Sequence, residues 1–126
     1  MKETRLVFDL EGKTINWPHD PNALPGYLPD SHDLWDFLMA NRERLGGVAH
    51  THPWEGDAIP SWVDVTTFSA IERGLGKRLL WPIVTFTDVG VFEWAGPDEY
   101  DYIRLSEPDL VVEDVEDLRD RSRTTD

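Results

Sequence analysis

The sequence predicts an α/β fold, a single mixed-sheet domain flanked by helices. Three observations carry that reading. The chain has 126 residues and no internal repeat, the usual size of one domain. Short segments rich in Val, Ile, Phe and Trp are interleaved with two stretches of helical period. Hydrophobic residues make up 40% of the chain, with six Trp, five Phe and three Tyr, so a packed core can form and wholesale disorder is not expected.

The elements follow in order. "TRLVFDLEGKTINWP" reads as a β-hairpin: Leu6, Phe8 and Leu10 alternate with Arg5, Val7 and Asp9, Glu11-Gly12 makes the turn, and Thr14 to Trp17 return. "PHDPNALPGYLPD" holds four Pro and a Gly, which fix φ and remove donors, so it reads as an ordered loop. Loops of this length commonly carry function, and Leu24, Tyr27 and Leu28 are available to touch a ligand. "SHDLWDFLMANRERLGG" reads as a helix capped by Asp30 or Ser31, with Leu34, Phe37, Leu38 and Leu45 inward and Gly46-Gly47 as its stop. "GVAHTH" is a short strand and "PWEGDAIP" a loop. "SWVDVTTFSAIERGLG" is a second helix, with Val65, Phe68, Ile71 or Glu72, and Leu75 on one face. "RLLWPIVTFTDVGVFEWAG" reads as two strands joined at Thr87-Asp88, and "YDYIRLS" as one more. From residue 111 to 126 charge dominates, which suggests a frayed helix or an acidic, flexible C-terminal tail.

Charge and composition narrow the function. The formal net charge of −13 repels phosphate backbones, so no nucleic-acid partner is expected; a basic partner or a cation-attracting site fits better. No Cys is present, which removes disulfide frameworks and thiolate zinc sites. The start of the chain lacks the apolar run of a signal peptide, and no stretch approaches the ~20 apolar residues of a membrane span. A soluble, cytoplasmic protein is expected.

The chemistry concentrates in "HTHPWEGDAIPSWVD". His50 and His52, at i and i+2 of a strand, point to one face, and Pro53 places them near the strand end. Asp64 offers a third ligand, and two His with one carboxylate and an open fourth position is a catalytic zinc arrangement. Each part also has a plain structural account. Many His-x-His pairs bind nothing, and Ser61 with Asp64 three residues later is close to a helix capping box. The conjunction favours metal, because capping alone does not require two histidines on the preceding strand.

This stretch resembles the core motif of the JAMM (MPN+/JAB-domain) zinc metalloproteases: His-Ser/Thr-His-Pro, a short loop, then Ser-x-x-Asp. The likeness spans about Thr4 to Trp94, and "PWEGDAIP" is one residue longer than the family's usual loop. The resemblance implies a prokaryotic-type small JAB domain over 1–110, with cytidine-deaminase-like layering. It implies Zn²⁺ on His50, His52 and Asp64, Ser61 as oxyanion donor, and an upstream Glu as general base. That Glu follows an N-terminal helix in the family, and no such helix precedes the first strand here. By position Glu3 is the best match; Glu11, in the turn, shares its parity, and Glu55 and Asp57 in the loop are further acids. The implied activity is hydrolysis of a peptide or isopeptide bond, with a protein or peptide substrate that includes ubiquitin-like proteins.

Trp54 and Trp62 flank the motif, either as packing or as an apolar wall for an extended peptide, and His19 and His32 lie in or beside the Pro-rich loop. The alternative reading is a catalytically inactive MPN-like scaffold that binds a protein partner. A cupin is disfavoured because no His follows His52, and an amidohydrolase barrel needs a far longer chain.

Overall fold

A computed structural model of the chain describes residues 3–15, 31–108 and 112–123, with the backbone alone for 31–33. The elements are β1 (Arg5–Asp9), α1 (Ser31–Ala40), β2 (Leu45–Thr51), α2 (Trp62–Leu75), β3 (Trp81–Val84), β4 (Val89–Trp94), β5 (Tyr102–Arg104) and α3 (Val115–Arg123). The five strands form one sheet in the order β1-β2-β3-β4-β5. β2 and β3 are parallel and every other pairing is antiparallel, so the sheet is mixed, as expected. A parallel pair needs a crossover connection, and α2 supplies it.

The sheet is buried on both faces. Val7, Val48, Trp81, Ile83 and Phe92 pack with Leu34 and Leu38 of α1 and Phe68 and Leu75 of α2. Leu6, Phe8, Ala49 and Val84 face the other way and pack around Leu118 of α3. The alternation Leu6/Val7/Phe8 therefore serves two apolar layers, since successive strand residues point to opposite faces.

Three local outcomes differ from the sequence reading. The hairpin after β1 turns as expected, with Asp9 accepting from the Glu11 and Lys13 amides. Its return arm, however, is a single bridge, Phe8 to Thr14, plus the Ile15 amide donating to the Val7 carbonyl; Asn16 and Trp17 lie outside the described residues. Gly46 and Gly47 do not stop α1. They belong to β2, and α1 ends six residues before Gly46, at Ala40. A Cβ at Gly46 would sit 2.1 Å from the Asp9 carbonyl oxygen, and one at Gly47 would sit 2.0 Å from that of Leu80. Both glycines are thus demanded by close backbone approach at a β-bulge opposite Phe8/Asp9 rather than by a helix cap. Finally, Val115–Arg123, read from sequence as frayed helix or flexible tail, is a helix with Leu118 fully buried. Its apolar residues are few, but Val112, Val115 and Leu118 recur every three residues and form one narrow stripe. The Thr4 hydroxyl donates to the Leu118 carbonyl and ties this helix to the start of β1.

Candidate metal centre

Ser61 caps α2 with extended backbone, φ −79° and ψ 171°. Its Oγ accepts from the Asp64 amide at 3.0 Å, while Asp64 Oδ2 accepts from the Ser61 amide at 2.9 Å. The capping box read from the sequence is therefore formed, and it fixes the Asp64 carboxylate at the helix mouth. At the other end of α2, Gly76 takes the left-handed conformation, φ 66°, and closes the helix.

The loop before Ser61 is tied to the β3–β4 turn. Asp88 Oδ2 accepts from the Ala58 amide at 2.8 Å, and Thr85 Oγ1 donates to the Gly56 carbonyl at 2.6 Å. The Phe86 amide donates to the Trp54 carbonyl at 3.0 Å. The Arg104 guanidinium, bidentate on Asp88, and the Ala58 amide hold that carboxyl well below the usual carboxylate range. These bonds seat the eight-residue loop, with Ala58 buried.

Around this frame the predicted ligands converge. His50 and His52 are buried on one face of β2, the face covered by α1 and α2, and the His50 ring contacts Phe68 edge to face. His50 Nε2 and His52 Nε2 are 3.2 Å apart. Asp64 Oδ1 is 3.3 Å from His50 Nε2, and Oδ2 is 3.0 Å from His52 Nε2. Ligand atoms at the corners of a tetrahedron with metal bonds of about 2.0–2.1 Å lie about 3.3 Å apart; the two Nε2 atoms meet that spacing, and Asp64 reaches the two imidazoles through different carboxylate oxygens. The tautomers of the two rings decide which Nε2 donates and which accepts in these contacts. Burial works against ionised Asp64, but hydrogen bonds from His50 and His52, with help from the Ser61 amide, outweigh it and keep the carboxyl ionised far below the ordinary range. One support common in metal sites is missing: buried His52 Nδ1 has no hydrogen-bond partner among the described residues.

Glu3 joins the cluster from β1. The Thr51 amide donates to the Thr4 carbonyl and Arg5 pairs with His50, so Glu3 falls opposite His52 on the same face. Ligand atoms of Glu3, His50 and His52 all lie within 4.8 Å of one another. The histidines thus have two carboxylate neighbours: Glu3 forms with them a group that could hold a metal ion, and Asp64, in contact with both imidazoles, is fixed by the capping box. Glu11 is at the far end of β1, past the Asp9–Leu45 pair, with its carboxylate 3.5 Å from Lys13 Nζ. Glu55 and Asp57 are exposed in the loop and do not line the cavity of about 380 Å³ above the histidines.

That cavity is lined by Glu3, His50, His52, Ser61 and Asp64 together with Trp54, whose ring centroid is 4.5 Å from that of His52. Trp62 is 67% exposed and contacts Tyr100 outside the cavity. Tyr27 and His19 lie outside the described residues, and so does the side chain of His32. A larger cavity, about 590 Å³ at the C-terminal end of α2, is lined by charges already engaged: Arg73 by Glu99, Arg78 by Glu72, and Lys77 by the Arg42 carbonyl. Sequence reasoning missed Arg5, which lines this cavity and also a neighbouring one between α1 and α2. Its parity with Glu3 was visible, but its register against His50 was not. No family model matches the chain, and no curated protein matches it. Among the described residues no helix is long and apolar enough to cross a membrane.

Proposed function

We propose that the chain is a cytoplasmic zinc-dependent metallopeptidase of the JAMM type, with JAB/MPN-like layering, that hydrolyses a peptide or isopeptide bond. The observation that carries this reading is the convergence of His50, His52 and Asp64, within 3.3 Å of one another, with Glu3 beside them. Zinc held by those three residues would polarise the scissile carbonyl and lower the pKa of a water at its open position.

The chain's own residues account for the rest of the reaction. Glu3 takes a proton from the attacking water and returns it to the leaving amine as the C–N bond breaks. Ser61 Oγ already accepts from the Asp64 amide, so its hydroxyl hydrogen is left to donate to the substrate oxygen as that atom gains charge. Exposed Trp54, Ile59 and Val63 form an apolar rim on which an extended peptide, or the tail of a ubiquitin-like protein, would rest.

A second reading keeps the fold and removes the catalysis: an inactive MPN-like scaffold that binds a protein partner. It is favoured by Asp64 already accepting from both imidazoles and from the Ser61 amide. Zinc-reconstituted protein incubated with a mixed peptide library, followed by mass spectrometry, separates the two. Cleavage that Asp64→Asn abolishes is the expected result. A zinc-loaded wild-type protein that cleaves nothing would leave the scaffold as the better account.

A further inference from the structure

We propose that Arg5 is a carboxylate anchor inside the histidine cavity, so that the substrate presents a free carboxylate beside the scissile amide: an N-acyl amino acid or the C-terminal residue of a short peptide. The inference rests on the metallopeptidase reading and narrows its substrate class.

Arg5 is the directly paired neighbour of His50 on β1, and it lines the same cavity as His50, His52, Asp64 and Glu3. It is the sole Lys or Arg lining that cavity among the described residues. The residue is partly buried, and among the described residues its charge meets Glu3 and Asp64 by Coulomb attraction alone, with no hydrogen bond or ion pair to either. Burial lowers its pKa, against the raising pull of nearby Glu3 and Asp64. A guanidinium presents a planar fork of donors that matches a carboxylate with two parallel bonds. Leaving that fork unpaired and partly desolvated is unfavourable unless a ligand meets it.

Charge balance points the same way. A fixed cation beside a divalent ion is repelled, so Arg5 weakens metal binding unless an anion lies between them. Asp64 is directed at the histidines and Glu3 is placed as the base, and both attract Arg5 through charge. With a divalent ion present, Arg5, Glu3 and Asp64 leave the cavity one positive charge in excess, which one carboxylate neutralises. Leu34, Val48, Phe68 and Ile71 supply an apolar floor for an acyl group or side chain. At about 380 Å³ the cavity is near the small end of ligand pockets, which run from about 300 to 1,000 Å³. A short ligand with its charge near the scissile bond suits that space.

The test compares N-benzoylglycine with N-benzoylglycinamide, which differ by the carboxylate alone. NMR titration is run on wild type, Arg5→Gln and Arg5→Lys, each metal-free and zinc-loaded, with zinc content measured on the same samples. Wild type is expected to bind the acid at least about tenfold more tightly than the amide, and Arg5→Gln to lose that preference. Equal binding of the two compounds by wild type, or an unchanged preference in Arg5→Gln, overturns the inference. Should Arg5→Gln unfold, as its spectrum would report, Arg5→Lys decides: a preference reduced several-fold supports the fork, and an undiminished one overturns it. Wild type that takes up no zinc overturns the metallopeptidase reading, while the metal-free titration still decides on Arg5.

Discussion

Replacing Glu3 with Gln is expected to lower kcat by about 10²–10⁴-fold while zinc content stays at the wild-type level. Gln keeps the size and polarity of the side chain but cannot take a proton from water. The geometry separates the two roles a carboxylate could have here. Asp64 lies within 3.3 Å of both imidazoles and is clamped by the capping box, whereas Glu3 is exposed and within 4.8 Å of the histidine ligand atoms. A parallel loss of zinc in Glu3→Gln would make Glu3 a ligand, and an unchanged rate would assign the base elsewhere. Glu11→Gln is the matched control. The β1–β2 register puts Glu11 at the opposite end of the strand from His50, so its rate should be that of wild type.

The largest expected loss of stability comes from Glu72→Ala. Glu72 is 3% exposed and accepts from the Leu79 amide at 2.9 Å, from Trp81 Nε1 at 2.9 Å, from Arg78 and from the Tyr102 hydroxyl. One carboxylate thus joins α2 to β3 and β5. Removing it leaves buried donors unpaired and creates a cavity, a cost of about 3–5 kcal/mol even though exposed Arg78 contributes little. Thermal unfolding should shift down by roughly 10–20 °C. Glu72→Gln keeps one acceptor oxygen and should lose less. A loss under about 1 kcal/mol in urea titrations of the Ala variant would show that the network is not a main support of the fold. Glu72 also holds Tyr102: burial, and then the hydrogen bond to this carboxylate, push the tyrosine hydroxyl pKa well above its ordinary value.

The parts of the fold that sequence made visible are those decided by local chemistry. Ser61, Asp64 and Gly76 bound α2 through caps, and Thr85–Asp88 turn β3 into β4, each within a few residues. The parts it hid depend on register and on partners distant in sequence. Gly46 and Gly47 look like a helix stop until Asp9 and Leu80 are known to approach them. Leu118 looks like an isolated apolar residue in a charged tail until Phe8 and Val84 are placed beneath it. The candidate site divides in the same way. His50, His52 and Asp64 are legible from spacing, because strand parity and a capped helix set their directions. Glu3 could be picked out by position alone, and the β1–β2 pairing is what brings it opposite His52. Arg5 shared the parity of Glu3, but an Arg alternating with apolar residues on a strand normally reads as the solvated side, and its register against His50 was hidden.

The central claim is a zinc centre built from two strand histidines and a helix-capping aspartate. Metal analysis of the purified, zinc-exposed and dialysed protein tests it most directly, with His52→Ala beside wild type. The account predicts about one zinc per chain in wild type and a fall below about half an equivalent in His52→Ala. Wild type holding less than about half an equivalent, with no further fall in His52→Ala, would contradict it.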